Sequence, residues 1–286
     1  MDYILPEDMW YVILLQIPFR LAKNFIFVTK FHQKIFYKTV RSIEKTYVKN
    51  INSINNLENY TNLTKLDIYN NNKITDDIIL NLINLTEINL CNNTIITDNP
   101  LLILTKLTNI NLSCNRKITD KSLSTLTNLT NLNLCKNKNI TDNCLNLLTN
   151  LKHLNITMNY NITNFGLKTL TNLETLVLDG SNITNDCLTK LVKLKTLRIG
   201  DFSNINNEGI EKLSAYNNLK SLSLSNVNIT NDGIKNFISL TRLDIKKNNN
   251  ITDEGIENLT NLTELGKNRI ITMRCLKHLK LINNIY

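Results

Sequence analysis

A 22-residue unit repeats along most of this chain, and that period constrains the fold more than any other feature. The copy at residues 129–150 reads LTNLNLCKNKNITDNCLNLLTN; further copies start at Leu63, Leu85, Leu107, Leu151, Leu173, Leu194, Leu219, Leu240 and Leu262. Units of this length cannot bury an apolar face alone and do so by stacking on their neighbours. The template is L-x-x-L-x-L-x-x-N-x-x-I-T-D-x-x-L-x-x-L-x-N. Its L-x-L core alternates as a strand does, and its closing L-x-x-L spans one helical turn. Each copy is therefore expected to be a strand, a bend and a short helix of about two turns, with Thr and Asp at the helix N-cap.

The Asn at the bend recurs as Asn71, Asn93, Asn115, Asn137, Asn159 and Asn248. An inward amide must bond the backbone of its own bend and of the next coil, or cost about 1–3 kcal/mol. This column is read as structural. Ser181, Phe202 and Val227 break it, and the breaks coincide with changes in repeat length. Residues 40–62 read as a degenerate half-repeat with Leu57 and Tyr60 at the helix positions and no full strand. Atypical ends are what a stacked array needs, because an open end exposes core and strand edge.

Composition limits the remaining choices. The chain is 42 % hydrophobic but only 6 % aromatic, so its core is aliphatic. About fifty residues are Asn. The net charge of +9 is spread without a run of five basic residues, which argues against a nucleic-acid partner. The longest apolar run, MWYVILLQIPF at 9–19, falls short of the ~20 residues that cross a bilayer. Asp2, Glu7 and Asp8 lie where a signal peptide is basic, so a membrane role is not expected and an intracellular protein, cytoplasmic or nuclear, is. None of the six cysteines forms C-x-x-C, and the three histidines are scattered, so no metal or cofactor is expected. Cys91 and Cys135, like Cys144 and Cys187, share a repeat position two repeats apart. That spacing of ~10 Å exceeds disulfide reach, so all six are read as reduced thiols. No phosphate loop, G-x-S-x-G or H-E-x-x-H is present. Cys135 and His153 fall on adjacent strands but lack a third group to orient them, so no enzyme is expected.

The first fifty residues differ from the rest. They hold the only Trp, Trp10, and five of the eight Phe. A helical rhythm runs through Met9, Ile13, Ile17, Leu21, Phe25 and Val28, predicting helices near 7–17, 21–31 and 33–47. The stretch ILPEDMWYVILLQIPFRLAKNFIFVTKFHQKIF resembles an F-box. Leu5, Pro6 and Asp8 match the Leu-Pro-x-acid opening. Met9, Ile13, Leu14 and Ile17 match the apolar positions that follow, and Val28-Thr29-Lys30-Phe31 matches the closing Val-Ser/Cys-Lys/Arg-aromatic. Arg20-Leu21 stands where the family has Asp-Leu.

The repeats match the leucine-rich-repeat pattern, and N-x-x-I-T-D-x-x-L-x-x-L resembles the repeats of F-box/leucine-rich-repeat proteins. The 22-residue length and the T-N-L junction also resemble internalin-like repeats of secreted bacterial proteins. The expected fold is α/β: a leucine-rich-repeat solenoid behind a small all-α unit. Residues 1–45 are assigned to the F-box-like domain, 46–62 to the capping half-repeat and 63–286 to about ten repeats. The resemblance implies the substrate-recognition subunit of a cullin–RING ubiquitin ligase. Leu5, Pro6, Met9, Ile13, Ile17 and Val28 would bind a Skp-family adaptor, and the repeats would bind a target protein. On the exposed strand positions, Tyr69, Arg198 and Arg242 are the expected target anchors, since interface energy concentrates in aromatic and Arg side chains. A second reading keeps the repeats as a binding scaffold without a ubiquitin link, its N-terminal helices serving only as a cap.

Overall fold

The computed structural model describes Met9, Ile13, Tyr37, Lys38, Val40, Ser42, Ile43 and residues 57–279. The chain forms two compact units, residues 1–129 and 130–286. In the first, β1 (Ser42–Ile43), β2 (Lys65–Asp67), β3 (Glu87–Asn89) and β4 (Asn109–Asn111) pair in parallel and in chain order. In the second, β5 (Asn131–Asn133), β6 (His153–Asn155), β7 (Thr175–Val177), β8 (Thr196–Ile199), β9 (Ser221–Leu224), β10 (Arg242–Asp244) and β11 (Glu264–Gly266) do the same. Register advances by one whole repeat per strand, so template positions stand side by side: Leu66 faces Ile88, and Ile88 faces Ile110. Both units are leucine-rich-repeat folds.

The core follows the template. Leu63, Leu66, Ile68, Ile74, Ile79 and Leu82 of one repeat are all buried, as are their counterparts in later copies. Each such aliphatic side chain contributes on the order of 1.5–3 kcal/mol. The helices are shorter than expected. Typical ones are α1 (Asp76–Ile79), α2 (Asp98–Leu101), α3 (Asp120–Leu123), α4 (Asp142–Leu145) and α5 (Asn164–Leu167), each of four residues. The second L-x-x-L leucine closes a tight turn instead, as when Leu126 N–H bonds Leu123 O at 3.1 Å. A 22-residue coil leaves no chain for a second helical turn once strand and bend are built.

Among the described N-terminal residues, the structure departs from the prediction at 40–43. Met9, Ile13, Tyr37 and Lys38 are helical, but Ser42–Ile43 is a strand paired with Lys65–Leu66, inside the span predicted as the third helix. The edge of β2 would otherwise be unpaired, and Ile43 can fill that edge. Leu57 and Tyr60 are buried at the predicted helix positions. Tyr37 meets Tyr60 edge-on at 4.7 Å.

The irregular repeats keep strand register and change length elsewhere. The repeats at 173 and 219 lose their residue in the bend, between Ser181 and Ile183 and between Val227 and Ile229. The repeat at 194 adds its extra residues after Leu213, lengthening α7 (Asn207–Ser214) to eight residues. Tyr216 in the added loop donates its hydroxyl to Thr189 O at 2.9 Å.

Candidate functional site

Two columns of strand side chains face away from the core. The second of these, Asp67, Asn89 and Asn111 in the first unit and Asn133, Asn155 and Asp244 in the second, is not free for recognition. Each side-chain oxygen accepts the backbone N–H two residues on, at 2.9–3.1 Å. The monotony of Asn on this face is therefore architecture. Val177, Arg198 and Ser223 lack this brace, so β7–β9 are where the face departs from the template.

The bend column bonds both ways, as its sequence predicts. Asn115 Nδ2 donates to Asn93 O at 3.0 Å while its Oδ1 accepts from Lys117 and Ile118. Asn268, which the shortened last repeat hides from the template, joins the column through Asn248 O and Ile251 O. Asn159 Nδ2 is buried without a partner. Ser181 returns its hydroxyl to Leu178 O at 2.9 Å, and Val227 is simply buried. Phe202 does not occupy the Asn place. Ser203 does, its Oγ accepting from Ile205 at 3.1 Å. Phe202 takes the preceding bend position, where φ is +61°. Asn70, Asn92, Cys114, Lys136, Met158, Gly180 and Asn226 hold that left-handed position in other repeats. It costs an ordinary side chain about 1–2 kcal/mol, and the Phe202 ring is 83 % exposed.

A third ladder, which the template does not announce, runs through the helix starts. The Asp or Asn after each Thr reaches into the following repeat. Asp98 Oδ1 and Oδ2 accept from Thr119 N and Oγ1 at 2.9 and 2.6 Å, and Oδ1 also accepts from Ser122 at 2.5 Å. Asp76 and Asp142 do the same for Thr97 and Thr163. Where the residue is Asn, as at Asn164, Asn207 and Asn231, its Nδ2 donates to the Thr hydroxyl instead. The helix cap follows this switch. Thr97, Thr119, Thr163 and Thr272, which donate to a carboxylate, also accept a first-turn N–H. Thr184, Thr230 and Thr252, which accept from an amide, make no such bond. A hydroxyl that gives its proton to the neighbour leaves lone pairs for its own helix. The ladder also explains the small residues two positions on. A Cβ at Gly166 would lie 2.3 Å from Asp142 Oδ1, and one at Gly209 2.2 Å from Asn185 Oδ1.

The sequence-predicted site residues are not gathered in one place. Tyr69 lies just beyond β2, half-buried, its N–H held by Asp67 at 3.0 Å. Arg198 pairs with Asp179 at 2.6 Å and Arg242 with Glu264 at 2.8 Å, each Arg side chain remaining about half exposed. The two arginines flank β9, facing Ser223 and Ser221 respectively. Lys65–Glu87 at 2.7 Å and Lys195–Glu174 at 2.6 Å repeat this pairing across neighbouring strands. Lys195 beside Glu174 holds that half-buried carboxyl below its usual range. Of the adaptor residues, Met9 is exposed and Ile13 half-buried; Leu5, Pro6, Ile17 and Val28 lie outside the described residues.

His153 begins β6 opposite Asn131, whereas Cys135 lies four residues beyond Asn131, about 13 Å further along the strand direction. They form no catalytic pair. All six cysteines are free, Cys144, Cys187 and Cys275 of them buried. Burial pushes the Cys187 thiol up to about 12 and the Cys275 thiol to about 11, which makes both poor nucleophiles. Among the described residues, no cluster of three His, Cys, Asp or Glu could hold a metal ion, and no helix is long and apolar enough to cross a membrane.

No protein-family model and no curated protein sequence matches the chain. Solved structures do. An internalin from Listeria monocytogenes is similar over 93 % of this chain and 80 % of its own, at 26 % identity and a TM-score of 0.63. A chain of the yeast Rad7 and Elc1 complex is similar over 98 % of this chain and 92 % of its own, at 16 % identity and a TM-score of 0.57. The chain is thus a leucine-rich-repeat scaffold of the kind used for protein interaction.

Proposed function

We propose that this scaffold is a non-catalytic substrate receptor of a cullin–RING ubiquitin ligase. Residues 1–45 would form an F-box-like unit, 46–62 a capping half-repeat, and 63–286 the repeats that hold a target protein. The observation that carries the proposal is the spacing of Leu5-Pro6-x-Asp8, the apolar positions to Ile17, and Val28-Thr29-Lys30-Phe31 directly before a binding scaffold. Leu5, Pro6, Met9, Ile13, Ile17 and Val28 contact the Skp-family adaptor, and exposed Met9 suits that role. The yeast neighbour was itself solved in a complex of two proteins. Tyr69, Arg198 and Arg242 serve the target; the two arginine side chains remain about half exposed alongside their ion pairs. Catalysis by proximity needs nothing more from this chain, because holding a target lysine near a charged E2 raises its effective concentration. The test is co-purification of the full chain with a Skp-family adaptor. Wild type is expected to bind, and Leu5→Asp with Pro6→Ala to abolish binding. Equal binding by both proteins, or by neither, sinks the proposal.

A specific observation favours the second reading, a scaffold whose N-terminal residues are only a cap. Val40 is buried, β1 covers the edge of β2, and Asn62 Nδ2 donates to Lys38 O at 2.9 Å. On this reading Leu5→Asp with Pro6→Ala changes no binding at all, while Val40→Asp lowers thermal stability.

A further inference from the structure

Lys65, Lys195, Arg198 and Arg242 on the strand face each meet a carboxylate of a neighbouring repeat. The bends of the last two repeats break this pattern. Lys247 and Arg269 are exposed and Lys267 is half-buried, and among the described residues none of the three has an ion-pair partner. Exposed Lys246 adjoins them. The shortening of the last repeat draws these charges together. Ile245 N–H bonds Gly266 O at 2.7 Å, and Asn268 Nδ2 bonds Asn248 O. Lys267 alone therefore crosses the stretch that Lys246 and Lys247 occupy in the repeat before, one strand spacing of ~4.8 Å away. Arg269 follows on the same bend, one residue past Asn268.

The carboxylates on the strands, bends and helix starts of these two repeats are engaged elsewhere. Asp244 accepts Lys246 N–H at 3.1 Å, and Glu264 pairs with Arg242. Asp253 accepts from Thr272 N–H at 2.8 Å and from the Thr272 hydroxyl, and Glu254 accepts from Asn231 at 3.3 Å. On the strands and bends, Arg242, Lys246, Lys247, Lys267 and Arg269 stand against Asp244 and Glu264 alone. Residues 280–286 contain Lys280 and no Asp or Glu. Like charges on adjacent strands oppose folding, so this cluster is a feature that folding does not need.

We propose that the bends of the last two repeats bind an acidic segment of a partner protein, whose Asp or Glu side chains meet Lys247, Lys267 and Arg269. An extended segment presents alternate side chains ~6.8 Å apart on one side, which suits cations on two neighbouring bends. A nucleic acid needs cations along a run of phosphates, and the preceding bend offers only neutral Ser225, Asn226 and Asn228. The site rests on the protein-interaction reading of the repeats and is independent of the adaptor.

The test measures binding of the full chain at low salt to a peptide with a short Asp-Glu run, to an oligo-dT strand and to phosphatidylserine vesicles. The peptide is expected to bind most tightly and to bind Lys247→Gln with Lys267→Gln about tenfold more weakly. Lys168→Gln with Lys190→Gln removes the same charge from exposed positions outside the bends and should leave its affinity unchanged. Lys247→Arg with Lys267→Arg should also keep the affinity. The Gln pair should melt no lower than wild type, because it relieves a like-charge contact. Equal losses in the two Gln pairs would reduce the binding to net charge and overturn the proposal. So would no binding of the peptide, or tighter binding of the DNA strand or the vesicles. The variant Leu5→Asp with Pro6→Ala should bind the peptide as wild type does, so loss of the adaptor role leaves this result standing.

Discussion

Single side chains in this protein act mostly on the repeat beside their own. Asp98 serves three donors of the following repeat, so Asp98→Ala should lower stability by about 2 kcal/mol, and Asp98→Asn by less, since Asn already fills the equivalent place at 164, 207 and 231. Chemical denaturation of the three proteins measures both differences. The converse change should help: Asn164→Asp frees the Thr184 hydroxyl to cap α6 (Asn185–Leu188) and is expected to add about 0.5–1 kcal/mol in the same assay. Cys187 carries a pH dependence of definite sign. The unfolded thiol ionises near pH ~8.5, whereas the folded one keeps its proton up to about 12. The folded state therefore binds more protons between those values, and stability falls as pH rises through that window. Cys187→Ala should flatten that part of the stability–pH curve. An unchanged slope would show that other groups dominate it.

At the scale of the element, a coil of fixed length explains both regularity and its failures. One helical turn is all that fits, and the residue two places after the Asp or Asn must be small where the neighbouring carboxylate or amide presses on it. Ser122 meets Asp98 with a hydrogen bond, whereas Gly166 has no side chain to offer Asp142. Gly166→Val should therefore cost more than about 2 kcal/mol by displacing that carboxylate, and Gly166→Ser clearly less. Thermal melts of the two variants would separate this account from a general intolerance of Cβ. Lengthening is absorbed on the helix side, as α7 shows, because extra residues there leave the parallel register of β8 and β9 untouched. Much of this level is legible in the primary structure: the strand positions, the inward Asn column and the Thr caps follow from period and residue type. The two-residue strand β1 was not, since Ser42–Ile43 carries no strand pattern of its own and is ordered by the open edge of β2.

For the molecule as a whole, about fifty Asn residues are accounted for by several jobs rather than one. Besides the bend and strand-face columns, Asn84, Asn128, Asn172 and Asn261 each donate to a backbone carbonyl of the preceding repeat at 2.8–3.0 Å. Stability of this kind is built from neighbour terms. Asn115→Ala and Asn248→Ala share no hydrogen-bond partner, and their losses of about 2 kcal/mol each are expected to add; a strongly non-additive double variant would contradict the nearest-neighbour picture. By itself the sequence determined the repeat, its parallel strands and its aliphatic core, because each of these depends on positions within one copy or on their simple periodic spacing. Only the tertiary structure decided which exposed groups are already engaged. Arg198 and Arg242 are matched to carboxylates of adjacent repeats, the Asp–Thr ladder joins residues some twenty apart, and Phe202 is turned outward by a one-residue shift in its bend. Those outcomes depend on how one coil stacks on the next, and the partner of a side chain on a stacked coil is written in a different repeat.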